Sequence, residues 1–126
     1  MKKRLLLLIE DNPLLTGMYK NAFENAGFEI IFAHDGESGL VMAKNENPEG
    51  IILDLLMPGI GGLKVLEELK KDDRTKDIKV IILAVNIKEE DKKKAREMGA
   101  IEFFIKPELT LAEIVERTTS ALDKAK

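Results

Sequence analysis

Residues 51–62 read IILDLLMPGIGG. A run of large apolar residues carries one carboxylate, Asp54, and then breaks at Pro58 and the glycines at 59, 61 and 62. Such a run suits a strand covered on both faces, as in a parallel sheet. A charge at the end of a buried strand is costly unless something meets it. Either Asp54 simply ends the strand, or a distant part of the chain supplies its partner.

Four further apolar runs lie outward from this one: Leu5–Ile9, Glu29–Ala33, Val80–Val85 and Glu102–Ile105. With Ile51–Leu53 they make five candidate strands, of which the first, third and fourth are nearly continuous in Leu, Ile and Val. Helical signals fill the gaps. Asn12-Pro13 is a cap followed by a first-turn proline. Leu15, Met18, Ala22 and Ala26 then recur at helical spacing, with Leu15, Met18 and Ala22 read as core and Gly27 as the stop. Gly36 to Asn45 carries Leu40 and Ala43, and Leu63, Leu66 and Leu69 mark a third helix. Asn86 with Glu89 resembles a capping box for a very polar helix running toward Met98 and closed by Gly99. Thr110 with Glu113 is a second such box, opening a helix with Leu111, Ile114, Val115, Thr118 and Leu122 on one side. Strand and helix alternate throughout, which implies parallel strands joined by right-handed crossovers in a doubly wound α/β sheet.

The 126 residues suit one domain, read as spanning 1–126. At 44% hydrophobic and 34% charged the chain has the balance of a soluble globular protein. A net charge of -3 gives no reason to expect nucleic-acid binding. The absence of cysteine excludes disulfides, thiolate metal sites and cysteine nucleophiles, and is compatible with a cytoplasmic location. The opening MKKRLLLLIED mimics a signal peptide, but its apolar run is too short, and no stretch approaches a membrane span.

In open parallel sheets, ligands bind beyond the carboxyl ends of the strands. Those ends carry Glu10-Asp11, Asp54, Ala84-Val85-Asn86 and Lys106-Pro107. Two unit charges 4 Å apart repel by roughly 4 kcal/mol at an effective dielectric near 20, so three clustered acids call for a cation. Oxygen-only ligation with room for water suits Mg²⁺. A carboxylate beside Mg²⁺ and a lysine is arranged to attack phosphorus, with positive charge meeting the incoming phosphoryl oxygens.

At this point the chain resembles a response-regulator receiver domain of two-component signalling, nearly end to end. The resemblance rests on IEDN after the first strand, ILDLLMPGIGG around the acceptor, VIILAVN at the fourth strand and GAIEFFIKP at the fifth. It implies a five-stranded (βα)5 flavodoxin-like sheet with strand order 2-1-3-4-5. Asp54 would take a phosphoryl group from a phosphohistidine on a sensor histidine kinase or histidine phosphotransfer protein. Asp11, Asp54 and the Leu56 carbonyl would ligate Mg²⁺, with Glu10 helping through a water. Lys106 would pair with the acceptor and then with the phosphoryl group, and Pro107 would follow through a cis bond. Phe103 occupies the family's rotating aromatic position, and Pro58 and Gly62 match the loop on the acceptor's far side. A receiver of this kind catalyses its own phosphorylation without being a turnover enzyme. It would signal, as a monomer or weak dimer, through the face made by the fourth helix, fifth strand and fifth helix. No output domain follows the last helix, so the chain is expected to be a stand-alone receiver or a fragment of a larger protein.

The sequence departs from the family at Ala84, where a threonine or serine is usual. Alanine cannot bond a phosphoryl oxygen, a hydrogen bond worth ~1.5–3 kcal/mol when one partner is charged. Coupling to Phe103 is therefore expected to be weak, and Phe103 reads as readily as core. Leu56 and Asn86 sit where the family tunes hydrolysis of the aspartyl phosphate, and apolar Leu56 predicts slow self-dephosphorylation. Glu10 replaces a commoner aspartate, and Ile101 stands where an acid is usual. The alternative reading is a pseudo-receiver that binds partners regardless of phosphate, which Ala84 favours and the intact acids and Lys106 oppose. An aspartate-nucleophile phosphohydrolase would need an acid at Leu56, and a flavin protein would need a hydroxyl-rich loop after the first strand. His34, before Asp35-Gly36, reads as an idle turn residue.

Overall fold

The computed structural model describes residues 3–55, 61–106 and 109–124. The apolar runs form β1 (Arg4–Ile9), β2 (Phe28–Ala33), β3 (Gly50–Asp54), β4 (Lys79–Ala84) and β5 (Ala100–Ile105). Between and after them lie α1 (Pro13–Asn25), α2 (Gly36–Glu46), α3 (Gly62–Lys71), α4 (Glu89–Glu97) and α5 (Leu111–Lys124). The strands pair in parallel in the order β2-β1-β3-β4-β5, as the family resemblance implied. Register is fixed by burial on both faces, since a one-residue slip would exchange the two cores.

Side-chain alternation divides the interior into two layers. Leu7, Ile9, Ile51, Leu53, Val80, Ile82 and Phe103 face α2, α3 and α4. Leu6, Leu8, Ile52, Ile81, Leu83 and Phe104 face α1 and α5. That second face matters for the site, because Glu10, Asp54 and Lys106 follow Leu8, Ile52 and Phe104 by two residues each. Three acids and bases from distant segments thus continue one face of the sheet past its carboxyl edge.

Among the described residues, local sequence explains three of the five helix starts. Asn12 Oδ1 accepts from the Leu14 N–H at 3.0 Å, and Asp35 Oδ1 accepts from the Ser38 N–H at 2.7 Å. Thr110 and Glu113 exchange reciprocal bonds of 3.1 and 3.0 Å, so the capping box expected at α5 forms. The box expected at Asn86 does not. α4 starts at Glu89 after Lys88, which is extended and offers no side-chain cap, so Glu89 already lies in the first turn. Three acids there, Glu89, Glu90 and Asp91, complement the helix dipole instead.

The buried face of α1 is also rotated from its expected position. Thr16, Tyr19 and Phe23 are buried, Leu15 and Ala22 are half-buried, and Met18 and Ala26 are exposed. Burying two aromatic rings removes more surface from water than burying Met18 and Ala22 would. Phe23 then meets Phe28 edge-on at 5.5 Å between centroids.

At the opposite edge of the sheet, Arg4 ties three elements together. It forms a two-pronged bond to Glu49, through Nε at 2.9 Å and Nη2 at 2.5 Å, and its Nη1 lies 3.0 Å from Asp123 Oδ1. Its guanidinium also covers the Phe28 ring at 5.5 Å.

Candidate functional site

β3 delivers Asp54 to the carboxyl edge almost fully buried, with 3% of its surface exposed. The ladder continues one residue further, because the Leu55 N–H donates to the Leu83 carbonyl at 3.1 Å. The Gly62 N–H then donates back to the Leu55 carbonyl at 3.2 Å. Leu55 and Gly62, on either side of residues 56–60, are therefore held together. This closure requires glycine at 62, since a Cβ there would stand 2.6 Å from the Leu55 Cα.

Lys106 is the partner that the opening stretch lacked. Its Nζ donates to Asp54 Oδ2 at 3.1 Å and to Glu10 Oε1 at 3.1 Å. Glu10 is wholly buried, Asp11 is exposed, and one carboxylate oxygen from each of Glu10, Asp11 and Asp54 can lie within 4.8 Å of the others. Burial pushes the Glu10 carboxyl up to about 7, and the neighbouring Asp54 carboxylate pushes it in the same direction against the pull of Lys106. Burial alone would lower the Lys106 ammonium, but its bonds to Glu10 and Asp54 outweigh that and leave it above the ordinary lysine value. One lysine does not saturate the cluster. Glu10 Oε2 is buried without a hydrogen-bond partner among the described residues. An orphaned carboxylate oxygen beside two more acids is a donor set that fits a hard divalent cation.

Ala84 ends β4 fully buried, and Asn86 lies exposed two residues on. Phe103 is buried, opposite Ile82 in the β4–β5 register. Leu56, Pro58 and Pro107 lie outside the described residues. His34 is exposed in the turn before α2, as expected. Sequence reasoning missed Tyr19, which is buried from α1 in the layer beneath the acids. Burial raises its phenol, and Lys106, Glu10 and Asp54 act on it electrostatically. The available signal was the Thr16, Tyr19, Phe23 spacing. It also missed Lys92 and Arg96, which cover the Phe103 ring.

The family model described as the response regulator receiver domain matches residues 6–119. The chain belongs to the response-regulator receiver family. Protein PilH of Pseudomonas aeruginosa is 34% identical over 104 residues, covering 81% of this receiver and 84% of PilH. The polar-differentiation response regulator DivK of Brucella anthropi is 28% identical over 120 residues, covering 95% of this receiver and 97% of DivK. The DNA-binding regulator RpaA of Synechocystis is 32% identical over 117 residues, and there the receiver spans 48% of the longer protein. It likewise spans about half of the PhoB regulators that it matches. Among solved structures, the CheY-like receiver domain protein of Methanospirillum hungatei superposes with a TM-score of 0.90 over 98% of this chain and 97% of that one. At 22% identity it speaks for the fold alone. The receiver thus belongs to two-component signalling. Among the described residues no helix is long and apolar enough to cross a membrane.

Proposed function

We propose that this chain acts as one receiver unit that accepts a phosphoryl group on Asp54 from a phosphohistidine of a sensor kinase or phosphotransfer protein. The observation that carries the reading is the contact of Lys106 with both Asp54 and Glu10 at the sheet's carboxyl edge. In the transfer, an Asp54 carboxylate oxygen forms a bond to phosphorus as the bond from phosphorus to the donor's imidazole nitrogen breaks. Lys106 holds the acceptor carboxylate before transfer and meets a phosphoryl oxygen after it, so positive charge stays where negative charge develops. Glu10, Asp11 and Asp54 would hold Mg²⁺, which when bound neutralises the phosphoryl oxygens. Buried packing around Asp54 limits the approach of water to the rim. The chain would work in the cytoplasm, without nucleic acid or membrane, and would signal through protein contact on the face of α4, β5 and α5.

The test is incubation with acetyl phosphate and Mg²⁺ followed by intact mass. The expected result is the addition of one phosphoryl group to the parent and none to Asp54→Asn. No addition to the parent would refute the reading. A second reading, a pseudo-receiver that binds partners regardless of phosphate, is favoured by one feature, the buried methyl of Ala84 in place of a hydroxyl.

A further inference from the structure

Phe103 lies inside the core formed with α2, α3 and α4, with 9% of its surface exposed. Two cations from α4 close over its ring. Lys92 Nζ is 5.5 Å from the centroid and the Arg96 guanidinium carbon is 5.1 Å from it. These cations stand one helical turn apart, a spacing at which like charges repel. Among the described residues neither forms an ion pair. Their approach to one ring gives both a common counterpart in its negative π-surface. Little else fastens this helix. Ala95 is the fully buried residue of α4, and its first turn has no side-chain cap.

We infer that Lys92 and Arg96 clamp Phe103 in the core, so that the α4–β5 face is held in its ring-in arrangement with no signal at Asp54. Ala84 completes the device. By strand alternation its side chain lies on the same face as Ile82, which pairs with Phe103, and a methyl there carries no hydroxyl to change partners when the acceptor is modified. The position of the ring is therefore set by α4 rather than by the acceptor. The clamp deepens the proposed function and rests on the receiver reading only for its consequence at Asp54.

The test uses the full chain with isotope-labelled phenylalanine rings, the Phe103 signal being assigned through Phe103→Leu. Exposure of the ring is read from relaxation caused by a soluble gadolinium chelate. In ligand-free protein, neutralising each cation, as Arg96→Gln and as Lys92→Gln with Arg96→Gln, should raise the outward population of the ring by roughly twofold or more per cation. Arg96→Lys and Lys92→Arg, which keep the charge, should stay near the parent value. Arg96 is exposed, so its single variant tests the clamp even if the double variant fails to fold. Unchanged relaxation in Arg96→Gln, or equal loss in Arg96→Lys, would overturn the clamp. In the parent with beryllofluoride and Mg²⁺, once the Asp54 amide signal has moved, the Phe103 signal should stay in place; its movement would also overturn the clamp. If the Asp54 amide does not respond, the acceptor reading fails, and the ligand-free arm still decides the clamp.

Discussion

Gly62 lies so close to Leu55 that a Cβ on the glycine would stand 2.6 Å from the Leu55 Cα and 2.9 Å from the Asp54 carbonyl oxygen. The Leu55 side chain also crowds the space at 2.8 Å, but two of the three nearest atoms belong to backbone, which cannot swing aside. Gly62→Ala must therefore push the start of α3 away from the end of β3. The expected cost is about 1–3 kcal/mol, as for overpacking elsewhere, read as a lower urea midpoint. The acceptor should also be labelled more slowly by acetyl phosphate. Gly61→Ala is the control, because it meets only an unfavourable φ of 73° with open space around it. A Gly62→Ala midpoint equal to that of the parent would contradict the packing argument.

The raised Glu10 carboxyl makes stability depend on pH when divalent ions are chelated. Folded Glu10 keeps its proton up to about 7, against an ordinary value of 4.5. Between those values the folded state binds more protons than the unfolded state, so stability should fall as pH rises across that window. Glu10→Gln should flatten the slope and be the more stable form above neutrality. Thermal midpoints in EDTA at about pH 5 and about pH 8 measure this, and parallel slopes for the two proteins would refute it.

Asp54→Asn removes one of two carboxylates that share a single lysine. With chelator present, the variant should melt higher than the parent, by about 1 kcal/mol, as is common when a functional group is removed from a strained site. Calorimetry checks the sign. A lower melting temperature would mean that Lys106 depends on Asp54 more than Glu10 suffers from it.

Thr118 is fully buried on α5, and its hydroxyl oxygen has no partner among the described residues. Elsewhere in the chain, buried Thr75 donates to the Leu69 carbonyl at 2.7 Å. Replacing an unsatisfied hydroxyl with a methyl of similar shape removes a penalty of ~1–3 kcal/mol. Thr118→Val should therefore raise the urea midpoint, whereas Thr75→Val should lower it.

Ala84→Thr restores the hydroxyl that the family resemblance expects. With beryllofluoride and Mg²⁺, its Phe103 signal should shift more than that of the parent. Equal shifts in the two proteins would show that the residue at 84 does not govern the aromatic.

Much of this was legible in the sequence because its cause is local or periodic. Continuous Leu, Ile and Val runs announced buried parallel strands, and the strand ends then named Glu10, Asp54 and Lys106 as neighbours. Thr110 and Glu113 announced their own cap. The misreadings share a cause, which is that tertiary packing chose between similar local options. Met18 and Tyr19 are adjacent in the chain, and only the volume available beneath the acids decides which of them turns inward. Asn86 could cap a helix, but Lys88 is still extended and the helix starts at Glu89. Lys92 and Arg96 look like solvated charges because nothing in their own segment reveals the ring beneath them.

Arg4 binds Glu49 and Asp123 together, so the first strand and the last helix meet at one point. Among the described residues, the end of the last helix is thus held beside the start of the first strand. Joining residue 124 to residue 3 by a short peptide and reopening the chain at an exposed loop should give a permuted polypeptide that begins on a different strand and builds the same sheet.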